Sequence, residues 1–211
     1  MHVSLSLSLE QEPDFAEWQS RLHCYGLDLR NLVEVHRFVD WVNETFDRLD
    51  MIVNNAAQTV RRPPSFYSHL IPSEMTALPP ALEGLLAHNT NLAPTDTAVP
   101  RLLAAEASTL QPHQQVPVHD GELTSASSSA LMSQVPLTDE DRTVDPSLFP
   151  KGFYDEHQQQ VDMRTRNSWT MRMDEVSTIE LIEVHAINSL APFIINSKLK
   201  PLMARTPGVC R

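Results

Sequence analysis

Residues Leu49–Ala57 read LDMIVNNAA, and this stretch constrains the fold more than any other. Leu49, Met51, Ile52 and Val53 form a short apolar run broken only by Asp50. A run of that length, closed by polar residues, fits a strand covered on both faces of a parallel sheet. Asn54 and Asn55 then fall at the carboxyl end of the strand, where open α/β sheets bind their ligands.

The preceding residues supply what such a strand needs. Asn31 and Glu34 have the three-residue spacing of a capping box. Leu32, Val35, Val39, Val42 and Phe46 follow in steps of three and four, one stripe of an amphipathic helix. Upstream, Leu22–Leu29 is a second strand candidate. Strand, helix and strand in that order make a crossover between parallel neighbours. A further short helix is expected over Pro13–Arg21, with its proline in the first turn. The expected class is α/β, with a partial doubly wound parallel sheet.

A second informative block lies far downstream. Glu175–Arg205 (EVSTIELIEVHAINSLAPFIINSKLKPLMAR) predicts one long helix, capped by Asp174 or by Ser177 with Glu180. From Ala186 to Ile195 it is apolar nearly all round, which predicts cover on both sides. Pro192 has no N–H to offer the carbonyl of Asn188, so a helix defect is expected there.

Together these blocks resemble the short-chain dehydrogenase/reductase family. Asn54-Asn55-Ala56-Ala57 is similar to the family's NNAG strand end, with Ala57 replacing the glycine. The Asn188 helix resembles the one that carries the family's catalytic asparagine. The resemblance implies a Rossmann-like domain and hydride transfer between NAD or NADP and a small carbonyl or alcohol substrate. It implies that Asn188 is catalytic, its backbone carbonyl holding a water that relays protons. It also implies that Asp28 and Leu29 meet the adenine ring and that Asn54, Ala56 and Ala57 face the cofactor. The helix over 174–205 is implied to take part in a homo- or hetero-oligomer.

The same resemblance is incomplete. A dinucleotide fold needs a glycine-rich turn at a helix N-terminus. Gly26, Gly84, Gly121, Gly152 and Gly208 are too scattered to form one. The family's tyrosine is followed four residues later by lysine, which holds the ribose and lowers the tyrosine pKa. Here Leu29, Ile71 and Gln158 occupy that position after Tyr25, Tyr67 and Tyr154. The family serine would belong to a strand beyond Arg211. Catalysis by this chain is therefore not expected, and the competing reading is a non-catalytic remnant that works as an interaction protein.

Three segments follow from this reading: a partial dinucleotide-binding fold over 1–57, a poorly ordered insertion over 58–172, and the long helix of the same domain over 173–211. The insertion holds twelve of the sixteen prolines and the Ser-rich run Thr124–Ala130. Prolines at that density break regular elements. Short helices are expected at Pro80–His88 and Val99–Thr109, and Phe149–Tyr154 with Trp169 are expected to dock on the core. Leu82–Leu86 (LEGLL) has the spacing of a receptor-docking helix, which leucine-rich helices also produce by chance.

Composition narrows the partners. A net charge of −11 disfavours nucleic acid, which rewards clustered Lys and Arg. The nine histidines show no metal-ligand spacing. Cys24 and Cys210 are too few for a disulfide framework, and reduced thiols predict a cytoplasmic setting. No continuous apolar run approaches the roughly twenty residues that cross a bilayer, so no membrane partner is expected. With two strands whose edges lack partners, the chain is expected to be marginally stable or prone to aggregate.

Overall fold

The computed structural model describes residues 12–74, 85, 130–142, 145–156 and 159–205. The chain divides into two compact units. One comprises Met1–Gly26, Pro63–Pro146 and Lys151–Gln160; the other comprises Leu27–Arg62, Ser147–Pro150 and Val161–Arg211. Each is described by itself.

In the first unit, helix α1 (Phe15–Trp18) runs into a 3-10 turn over Gln19–Arg21. Phe15 meets Trp18 edge-on at 4.9 Å and packs with Cys24 and Leu85. Cys24 donates its backbone N–H to the Leu85 carbonyl at 3.0 Å. Leu85, the one described residue of the LEGLL segment, is buried in that cluster and so is not displayed for docking. Two single-turn helices follow, α2 (Pro64–Tyr67) and α3 (Ile71–Glu74), and a third, α4, covers Asp139–Arg142. Proline at the start of α2 suits a first turn, where its missing N–H has no partner to lose. The helices expected at Pro80–His88 and Val99–Thr109 lie outside the described residues, Leu85 apart.

In the second unit, helix α5 (Leu32–Thr45) begins where its cap spacing places it. The Asn31 side chain accepts from the Glu34 N–H at 3.3 Å. Val35, Val39 and Val42 are buried along one stripe. Val39 and Val42 pack against Leu199 and Leu202 of helix α7 (Ala191–Met203), and Phe38, Trp41, Phe46, Leu49, Ile52 and Ile195 surround them. Each fully buried aliphatic side chain of this type contributes about 1.5–3 kcal/mol.

The long helix starts at Thr178, one residue after Ser177, whose side chain accepts from the Glu180 N–H at 3.1 Å. Ser177, not Asp174, is therefore the cap. Helix α6 (Thr178–His185) passes through a π turn at Ala186–Leu190 into α7. Its cause is local. Pro192 cannot donate to the carbonyl four residues back, so the ladder slips, and Ala191 N–H bonds the Ala186 carbonyl across five residues.

The expected parallel sheet does not form. Among the described residues there is no strand, only an isolated antiparallel bridge between Tyr154 and Gln160. This overturns the α/β, Rossmann-like assignment. The first strand candidate, Leu22–Leu29, is divided between the units, with Leu22–Gly26 in the first and Leu27–Leu29 in the second, and Leu49–Ala57 falls wholly in the second. Leu49–Val53 has cover on one side only. Leu49 and Ile52 rest on the α5–α7 pair, while Met51 and Val53 are 73% and 74% exposed. An apolar run alone does not make a buried strand, because its backbone needs neighbours on both edges.

Other expectations change as well. Trp169, Phe153 and Tyr154 do not dock into a core; all three are exposed. Phe149 is half-buried beneath the Arg164 guanidinium, 5.8 Å from its ring centre. The long helix is apolar nearly all round, yet only one side is covered. Ala191, Leu199 and Leu202 are buried, whereas Ile179, Leu181, Ile182, Leu190 and Phe193 are exposed. Its 26 residues, Thr178–Met203, are long and apolar enough to cross a membrane by length and composition alone.

Candidate functional site

The residues singled out from sequence all lie in the second unit. Asp28 lies in the turn before α5. Its carboxylate accepts from the Arg30 backbone N–H at 2.9 Å and from the Arg30 guanidinium at 2.7–3.1 Å. Its carbonyl accepts from the Asn31 N–H at 2.9 Å. An aspartate that folds back on its own turn in this way shapes the chain ahead of a helix. Leu29 is half-buried beside it.

Asn54, Ala56 and Ala57 are exposed, on a segment that runs beside the long helix instead of ending a strand. Asn54 donates from Nδ2 to Asn196 Oδ1 at 3.0 Å. Asn188, in the π turn, makes a two-point contact with the backbone of Gln58. Its Oδ1 accepts from the Gln58 N–H at 2.8 Å, and its Nδ2 donates to the Gln58 carbonyl at 2.7 Å. The Asn188 amide thus pairs with a peptide group as a neighbouring strand would. The 54–58 segment and the Asn188 region of the helix are therefore neighbours, although their sequence positions differ by about 130.

Glu183, which sequence reasoning passed over, is the centre of a charge cluster. It is 7% exposed. Its Oε1 accepts from Gln58 Nε2 at 2.8 Å and its Oε2 from Arg61 Nε at 3.0 Å. Arg30 approaches Oε1 at 3.7 Å while also held by Asp28. Two cations and two carboxylates balance in this cluster, and Gln58 fills one further acceptor position. A buried carboxylate requires partners of this kind. The available signal was a lone acidic residue between Ile182 and Val184 on an apolar helix. A second set lies along 162–164, where Asp162 accepts from Arg62 and from Arg164, the latter at 2.8 Å.

Glu34, in the first turn of α5, is buried. Burial raises its carboxyl pKa above the usual glutamate value, Arg37 opposes that shift, and Asp28 adds to it. Among the described residues, no group of three His, Cys, Asp or Glu side chains could hold a metal ion.

Chemically, the arrangement ties a segment down. Both expected asparagines have their side chains engaged with other parts of the protein, and the Glu183 carboxylate is matched by cations. The local geometry gives 54–61 a fixed path along the helix through Asn196, Asn188 and Glu183. The same helix also exposes large apolar side chains, among them Ile182 and Phe193. No family model matches the chain, and comparison with curated proteins and with solved structures gives no significant match.

Proposed function

We propose that this chain is a non-catalytic interaction protein whose contact element is the long helix Thr178–Met203. One observation carries the reading: Ile179, Leu181, Ile182, Leu190 and Phe193 stand exposed on a helix whose other side is anchored. Contiguous exposed apolar surface of this kind marks interaction sites. The anchoring supports it. The α5 packing and the Glu183, Asn188 and Asn196 bonds hold the helix in place, so little ordering free energy is lost on contact.

A bilayer is a poorer match for this surface. Glu180, Glu183, Lys198 and Lys200 all lie within the helix span. Each charged residue placed at the centre of a membrane helix costs about 2.5–3.5 kcal/mol or more. The oxidoreductase expectation loses its support along with the parallel sheet.

A photo-crosslinking residue at Phe193 of the full chain, expressed in cells, tests the proposal. Discrete adducts, abolished by Leu190→Glu, are expected. A complete absence of adducts would overturn it. Saturable quenching of NADH or NADPH fluorescence would return the chain to the oxidoreductase class.

A further inference from the structure

We propose that the extended segment 51–55 pairs edge to edge with the same segment of a second copy of the chain, antiparallel about a two-fold axis at Ile52. This surface is separate from the long helix, and the inference goes beyond the interaction reading.

The backbone supplies the first argument. The chain runs without a turn or bend from 48 to 58. Its side chains alternate as in a strand: Ile52 packs on the α5–α7 pair and Asn54 bonds Asn196, while Met51 and Val53 are exposed. Among the described residues, the backbone N–H and C=O groups of 51–57 make no hydrogen bond within the chain. A single extended segment thus lies on a helix pair with bare edges. An exposed edge of that kind is a template for another extended chain.

The second argument fixes the edge. In an extended chain, residues two apart present their N–H and C=O groups to the same side. Gln58 presents both groups to Asn188 on the helix. Ala56 and Asn54 share that side, which ends against the protein. Met51, Val53 and Asn55 share the other side, and all three are exposed. The bonds of Asn54 and Gln58 to the helix hold the segment in place, so pairing requires little further ordering.

Register supplies the occupant. A two-fold contact requires that where one residue meets another, the second meets the first. An axis at Ile52 sets Met51 of each copy opposite Val53 of the other, so the two exposed apolar side chains cover each other twice. Leu49 then lies opposite Asn55, and Asp50 opposite Asn54. A parallel pair in register would set Asp50 against Asp50, and an axis at Val53 would set Met51 against Asn55. The same segment therefore supplies the donors, acceptors and apolar cover that this edge lacks. A contact this short belongs to the weak, reversible class.

Sedimentation equilibrium of the full chain over a wide concentration range provides the test, with circular dichroism to confirm that each variant is folded. A concentration-dependent dimer is expected. Val53→Asp and Met51→Lys should each associate at least tenfold more weakly, because each sets a charge against an apolar side chain. Mixing the two variants should restore association, since the introduced lysine then faces the introduced aspartate. Asn55→Pro removes an N–H from the pairing edge and should weaken the dimer, whereas Ala56→Pro removes one from the opposite edge and should not. Amide exchange at Met51 and Val53 should slow as concentration rises, while exchange at Ile52 stays fast. A chain monomeric at its highest soluble concentration overturns the proposal. A dimer indifferent to Val53→Asp and Asn55→Pro also overturns it, and leaves the helix reading standing. Failure of the mixed variants to associate overturns the register and with it the two-fold pair.

Discussion

The two halves of the long helix are both rich in apolar residues and differ in what holds them. Helix α7 sinks Ala191, Leu199 and Leu202 into the α5 packing. Helix α6 keeps Ile179, Leu181 and Ile182 exposed and is held instead by Glu183. Apolar content therefore does not decide burial. A side chain is buried when a partner surface repeats at its own period, as Val39 and Val42 do for Leu199 and Leu202. Where no such surface is present, a single buried charge with matched partners anchors the helix.

The largest expected effect tests that anchor. Glu183→Ala leaves Arg30 and Arg61 without their shared carboxylate, and should cost about 3–5 kcal/mol by urea denaturation. If Glu183→Leu, which removes the charge but fills the space, costs under about 1 kcal/mol, packing and not charge holds α6. Next, Leu202→Ala should cost about 2–5 kcal/mol, whereas Ile182→Ala should cost under about 1 kcal/mol. Equal losses would erase the contrast between the halves.

Asn188→Ala removes two hydrogen bonds to Gln58 and should cost about 1–2 kcal/mol. Amide exchange at Gln58 should accelerate, while exchange in α7 stays unchanged. The smallest effect concerns Glu34. Burial raises its folded pKa, so the folded state holds that proton more tightly than the unfolded chain. Its contribution favours folding below the ordinary glutamate pKa and is lost as pH rises through the raised folded value. Glu34→Gln should flatten that loss, seen as a smaller difference in melting temperature across the acidic range.

Several features were legible locally. Asn31 with Glu34 marked the start of α5, and Ser177 with Glu180 was one of two starts offered for the long helix, because a cap acts within four residues. The helix defect was readable from Pro192 for the same reason. The candidate site was legible only in part. Asn54 and Asn188 stood out as polar residues beside apolar runs. Their partners, Asn196 and the Gln58 backbone, are contacts that sequence distance concealed. Glu183, the centre of the cluster, stood in plain view but without its arginines.

By itself the sequence determined α5 with its cap and stripe, and the long helix with the slipped ladder at Ala186–Leu190. These depend on backbone geometry and on neighbours within a turn or two. Only the tertiary structure decided that Leu49–Val53 would remain without strand neighbours, that one side of an all-round apolar helix would stay open, and that Glu183 would be buried. Each of these depends on a surface contributed from elsewhere in the chain. A strand in particular is completed by hydrogen bonds to another segment, whereas a helix closes its own.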